Sequence, residues 1–221
     1  GMNDPMQIES LVSEIVDTLG REYEVRELQI HASASIGIAL YPQDGHTVEE
    51  ILRNADTALN EAKRFGKHCW RFFDKTMQEM AYGNMLLING LQNALANQEL
   101  HLHYQPQLSL ENGETIAFEA LMRWRSSRHG DVSPARFIPL AERSHLIESI
   151  GAWTLKEAAN FSRKLSEMGH PDVRVAVNVS PRQLMARNFP QVVRDAFEEW
   201  ELSAGRLEIE ITESVFIESV D

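Results

Sequence analysis

Ile8, Leu11, Val12, Ile15, Val16 and Leu19 recur every three or four positions, the period of a helix with one buried stripe, and Gly20 follows as a C-terminal stop. From Ile30 to Leu40 the period shortens to two. Ile30, Ala32, Ala34, Ile36 and Ile38 face one way, which predicts a strand ended by Pro42. Asp44-Gly45 signals a turn, and Thr47 with Glu50 three residues later forms a capping box for a helix carrying Ile51, Leu52, Ala55, Ala58, Leu59 and Ala62. A short aromatic strand, Cys69 to Phe73, comes next. The stretch from Met77 to Asn97 holds Met80, Leu87, Ile88, Leu91 and Leu95 without proline, which predicts a helix joining two units.

Beyond it the pattern alternates. Strands are predicted at Leu100 to Leu108, Ile116 to Trp124, Val173 to Val179 and Leu207 to Thr212, with helices at Ala135 to Arg143, Gly151 to Met168 and Phe189 to Trp200. Strand and helix in alternation argue for an α/β unit built on a parallel sheet flanked by helices. There is no internal repeat and no low-complexity tract.

The 221 residues are 43% hydrophobic and 24% charged, the makeup of a folded chain, so disorder and fibrous repeats are excluded. A net charge of -12, from 21 Lys and Arg against 33 Asp and Glu, excludes a generic binder of a nucleic-acid polymer. Division near Met77 gives 8 cations against 13 anions before it and 13 against 20 after it, so neither half conceals a basic module. A single cysteine, Cys69, forbids an internal disulfide and fits a reducing, cytoplasmic setting. No apolar run approaches the roughly 20 residues of a membrane span, and no signal peptide opens the chain. Gly1 ahead of Met2 reads as an added residue.

Polar residues stand where buried strands should carry Val and Ile: Glu119 in the second of the later strands, Asn178 ending the third, and Glu208 with Glu210 in the fourth. Burying a bare carboxylate costs several kcal/mol unless it is paired or binds a cation. In barrels and open α/β sheets, ligands bind at the carboxyl ends of strands, which makes these groups site candidates. Two carboxylates and an amide oxygen are hard ligands suited to Mg²⁺ or Mn²⁺.

The run Glu119-Ala120-Leu121-Met122-Arg123-Trp124 resembles the signature of EAL domains, phosphodiesterases of the bacterial messenger cyclic-di-GMP. Tyr104-Gln105-Pro106 precedes it. Ser133-Pro134, Phe137-Ile138-Pro139, Ala141-Glu142, Asn178-Val179-Ser180 and Leu207-Glu208-Ile209-Glu210-Ile211-Thr212-Glu213-Ser214 follow in the family's order. The first 75 or so residues resemble the back half of a GGDEF domain, through Ser35-Ile36-Gly37-Ile38-Ala39, Tyr41-Pro42, Asp44-Gly45, Ala55-Asp56-Thr57-Ala58-Leu59, Ala62-Lys63 and Gly66-Lys67. The expected fold is a partial (β/α)8, TIM-like barrel preceded by a partial α+β cyclase-like domain. The expected boundaries are 1–76 for the GGDEF part, 77–98 for the connecting helix and 99–221 for the EAL part.

The resemblance implies that Glu119, Asn178 and Glu210 ligate Mg²⁺ or Mn²⁺, that Gln105 and Arg123 contact the substrate, and that Glu213 braces a catalytic loop. It implies hydrolysis of cyclic-di-GMP to linear pGpG by a bacterial GGDEF-EAL protein. The family's further Asp-Asp pair, catalytic Lys, Glu and Gln do not occur among these residues, so the chain alone is expected to be inactive; a half barrel leaves an open parallel edge, so the piece is expected either to pair as a homodimer by swapping or to belong to a longer polypeptide. The GGDEF signature loop is likewise absent, although Lys63 and Lys67 align with phosphate-contacting residues. Three positions depart from the resemblance: Asn60 stands for an aromatic, His68 for Asn and His145 for Gly.

Plainer readings stand beside these. Glu119 could pair with Arg123, two same-face positions further along its strand, and Glu208 could be a solvated or ion-paired neighbour of Glu210. Lys63 and Lys67 could be solvated cations at a helix C-terminus. His101 and His103 alternate without a carboxylate or thiol partner and read as core or surface residues. The rival function is a non-catalytic cyclic-di-GMP receptor, or a scaffold that uses the cyclase-like half for protein interaction.

Overall fold

The computed structural model describes residues 5–26, 28–66 and 68–211, so Lys67 and Glu213 lie outside the described residues. The chain divides into two compact units between Asn84 and Met85. In the first, helix α1 (Pro5–Leu19) is followed by an antiparallel hairpin of β1 (Glu22–Val25) and β2 (Leu28–His31). Strand β3 (Ile36–Ile38) pairs in parallel with β4 (Trp70–Phe72) and packs on helix α2 (Val48–Arg64). The expected continuous strand from Ile30 to Leu40 is therefore two strands in two sheets. Between them, Ala32, Ser33, Ala34 and Ser35 offer little side-chain surface to pack across a ladder.

Gly37 shows why β3 and α2 can meet. A Cβ there would lie 2.1 Å from the Ala55 carbonyl oxygen and 2.2 Å from Leu59 N, so only glycine permits the approach. The capping box of α2 forms as the sequence predicts, with Thr47 and Glu50 each accepting from the other's backbone N–H.

Helix α3 (Lys75–Gln92) spans the division and stops short of the expected Asn97, because turns occupy 93–98 and Gln98 takes a positive φ of 56°. The second unit then runs β5 (Leu100–Leu108), β6 (Thr115–Ser126), β7 (Gly130–Val132), α4 (Pro134–Arg143), α5 (Leu146–Glu167), β8 (Arg174–Val179), α6 (Pro181–Leu184), α7 (Phe189–Glu199) and β9 (Leu207–Ile211). The sheet order is β5-β6-β8-β9, with β7 also on β6.

Strands β6, β8 and β9 are parallel, as the alternation predicts, but β5 and β7 run antiparallel to β6. Residues 109–114 alone join β5 to β6, and a parallel crossover needs a dozen or more. Helix α5 begins five residues before the expected Gly151. Its first turn carries Ile147 and Ile150, both buried, so Gly151 is interior to the helix.

Two apolar clusters hold the helices to one face of the sheet. Trp124 of β6 meets Phe137 of α4 edge-on at 5.8 Å, with Leu87, Leu91, Leu140 and Ile150 around them. Val175, Val177 and Val179 of β8 pack with Ala120, Leu155, Ala158 and Ala159. In β6 the alternate residues, Glu119, Leu121 and Arg123, face away from the helices.

Candidate active site

Register decides which side chains share the face opposite the helices. Glu119 of β6 pairs with Gln105 of β5 on one side and Ala176 of β8 on the other, while Asn178 of β8 pairs with Glu210 of β9. With side chains alternating along each strand, Gln105, Glu119, Asn178 and Glu210 project from the same face. Asn178 Nδ2 donates to Glu119 Oε1 at 2.7 Å, which joins the two neighbouring parallel strands directly.

Glu210 closes the group. Burial holds its carboxyl above the usual carboxylate range, the like charges of Glu119 and Glu208 push the same way, and a side-chain hydrogen bond with Gln107 opposes them. Glu208 has its own cation: Arg174 Nη1 lies 3.2 Å from its Oε2. The plainer reading of Glu208 as an ion-paired neighbour therefore describes its surroundings; it stands in the row of Glu119 through Ala176, and Glu210 stands in the row of Asn178.

Glu119 does not pair with Arg123. The Arg123 guanidinium instead donates from Nη1 to the Met122 carbonyl at 2.9 Å. Arg123 and Asn178 both line a cavity of about 220 Å³ at the carboxyl ends of β6 and β8, with Glu142, Thr154, Ser180 and Gln183. The cavity opens where the two strands separate: their pairing ends at Ala120 and Val177, while β6 continues with β5 as far as Trp124.

Two like-charged carboxylates and an amide, converging on a half-open face, are a donor set that a hard divalent cation relieves. Among the described residues no group of three or more His, Cys, Asp or Glu side chains could hold a metal. The set here has two acidic members, Glu119 and Glu210, and the Asn178 carboxamide carries a third oxygen. His101 and His103 remain exposed with their rings 5.2 Å apart.

The sequence reading passed over Gln183 and Gly151. Gln183 was legible as the fourth residue of a Ser-Pro-x-Gln capping box opening at Ser180, with proline at the first helical position. Gly151 carries no such signal, because what it accommodates comes from a segment 32 positions away in the chain. The departures His68 and His145 have a backbone explanation. Both sit in left-handed conformation, φ 46° and 64°, where Gly and Asn are the types best tolerated.

The sequence matches the EAL domain family over residues 88–221 and the family described as diguanylate cyclase, GGDEF domain, over residues 1–69. It is 38% identical over 218 residues to MucR of Pseudomonas aeruginosa, a bifunctional diguanylate cyclase/cyclic di-GMP phosphodiesterase, covering 99% of this chain and 32% of that protein. It is 39% identical over 189 residues to the cyclic di-GMP phosphodiesterase NbdA of the same organism, covering 86% of this chain and 24% of that one. The chain thus spans about a third or less of the length of these curated relatives. A solved PaMucR phosphodiesterase in complex with c-di-GMP matches with a TM-score of 0.58 at 39% identity, over 62% of this chain and 55% of that chain. No helix among the described residues is long and apolar enough to cross a membrane.

Proposed function

The chain belongs to the EAL domain family and carries a GGDEF domain ahead of it, and on that premise we propose that its EAL part serves the hydrolysis of cyclic-di-GMP to linear pGpG with Mg²⁺ or Mn²⁺. One observation carries the reading: strand register gathers Glu119, Asn178 and Glu210 on one face, with Asn178 bonded to Glu119 at 2.7 Å. These three residues would hold the cation. When bound, it polarises a phosphoryl oxygen and acidifies an attacking water.

The remaining roles belong to the protein. Arg123, beside the cavity, offsets phosphate charge on the substrate, and Gln105, across the ladder from Glu119, contacts it. Glu213, outside the described residues, braces a loop. Water adds to one phosphorus, the ring ester bond to the ribose oxygen breaks, and that oxygen leaves with a proton. The domain limits 1–76, 77–98 and 99–221, a cytoplasmic location and a homodimer belong to the same reading.

The test is metal-dependent loss of cyclic-di-GMP in the full-length polypeptide that bears this chain, followed by chromatography. Turnover in Mg²⁺ or Mn²⁺ that disappears in Glu119→Ala, with the fold retained by circular dichroism, is the expected result. Tight cyclic-di-GMP binding without turnover in either metal would replace the enzyme with a receptor. Unchanged rates in Glu119→Ala would remove the metal assignment.

A further inference from the structure

The carboxyl end of β8 lacks a neighbour on one side. Ladder pairing with β6 stops at Val177, so at Asn178 and Val179 the ladder continues with β9 alone, through Glu210 and Ile211, and only the Asn178 side chain reaches back to β6 at Glu119. A group that must hold a ligand atom to within a fraction of an ångström needs a firmer anchor than a strand end beside a cavity.

The next residues supply one. Ser180 N–H donates to Gln183 Oε1 at 3.2 Å, and Gln183 N–H donates to Ser180 Oγ at 3.3 Å. Gln183 is only 5% exposed, and its carboxamide lies against the backbone of α5 at Gly151. A Cβ at Gly151 would stand 1.7 Å from Gln183 Nε2 and 2.5 Å from Cδ. Gly151 and Gln183 both line the cavity with Asn178 and Arg123. The side chain thus connects three things: the backbone two residues after Asn178, the interior of the 22-residue helix α5, and the wall of the cavity.

We propose that Gln183 is a positioning residue for Asn178: by accepting from Ser180 N–H while seated on Gly151, it fixes the end of β8 so that the Asn178 amide stays directed at Glu119 and Glu210. The inference rests on the assignment of these three residues as cation ligands. Outer groups that orient metal ligands typically carry tenfold to hundredfold in metal affinity.

The experiment is Mn²⁺ binding to the full chain, read as free Mn²⁺ by electron paramagnetic resonance, with unfolding midpoints measured in parallel. Gln183→Met keeps the length and apolar bulk of the side chain and removes the acceptor. Ser180→Pro removes the donor from the other end of the same bond and suits the Ser180 φ of -75°. Ser180→Ala deletes only the hydroxyl and leaves the clamp intact. Weakening of Mn²⁺ binding by about tenfold in Gln183→Met and Ser180→Pro, with Ser180→Ala within about twofold of wild type, is the expected result. A role in folding alone would lower the midpoints and leave the affinity of the folded chain unmoved. If Gln183→Met does not fold, Ser180→Pro carries the test. Wild-type binding with both clamp variants within twofold overturns this inference alone, as does equal weakening by Ser180→Ala. A wild-type chain that binds no Mn²⁺ overturns the cation assignment and this inference with it.

Discussion

Adding one methyl group at Gly151 should destabilise the second unit, although alanine is the better helix former. In the interior of α5, Gly→Ala gains about 1 kcal/mol from helix propensity. Against this, the new Cβ would stand 1.7 Å from Gln183 Nε2, so the buried carboxamide must leave its seat. Forcing an extra carbon into a packed site costs about 1–3 kcal/mol. Displacing Gln183 also strands the Ser180 N–H, in a residue only 8% exposed, at about another 1–3 kcal/mol. The net expectation is a loss of about 2 kcal/mol.

In a Gln183→Ala background the obstruction is gone, and the same methyl should instead stabilise by about 1 kcal/mol, the propensity gain alone. The two backgrounds thus differ by about 3 kcal/mol, the size expected for residues in direct contact. Urea unfolding of the four chains, followed by tryptophan fluorescence, measures the cycle. Stabilisation by Gly151→Ala in the wild-type background, or an equal effect in both, would refute the packing argument.

Glu210→Gln should weaken Mn²⁺ binding by about tenfold or more, whereas Glu208→Gln, whose carboxylate faces Arg174, should leave it within about twofold; electron paramagnetic resonance distinguishes them. Hydrogen bonds from the Ser127 side chain and backbone, and then from Trp124 Nε1, hold the Glu99 carboxyl below the usual range. Its folded pKa is therefore depressed: the stability it contributes is full above the unfolded carboxylate value, about 4.3, and is lost as pH falls through the folded value. Glu99→Gln should flatten the acid limb of a plot of urea midpoint against pH. His145→Gly should change stability by less than about 1 kcal/mol in thermal unfolding, because relief of the φ of 64° is offset by loss of the contact between Arg182 Nη2 and the His145 ring at 2.7 Å and by the freer unfolded chain.

Much of the second unit is written in its period. Each later strand announces itself by apolar alternation, and the polar exceptions Glu119, Asn178 and Glu210 mark the face that the helices leave uncovered. Strand direction is less legible. A run such as Leu100 to Leu108 has the same alternation whichever way it is laid down, and the antiparallel β5 follows from the brevity of the connection at 109–114. Gly151 was illegible for another reason: its significance lies in a tertiary contact with Gln183, and periodicity along one helix carries no trace of the segment that crosses it. In the first unit the run through Ala32 and Ala34 kept its period across a break, because small residues preserve a pattern without supplying the surface that makes a ladder.

The reversed direction of β5 also settles where the polypeptide arrives. Leu100 opposes Trp124, so the chain joins the sheet on the rim where β6 ends, and Glu99 fastens that arrival point through bonds to Trp124 and Ser127. Were β5 parallel, its nine residues at about 3.3 Å each would move the arrival point roughly 30 Å, to the far rim. The connection from α3 therefore enters the sheet one ladder position from Arg123, at the same rim as the cavity.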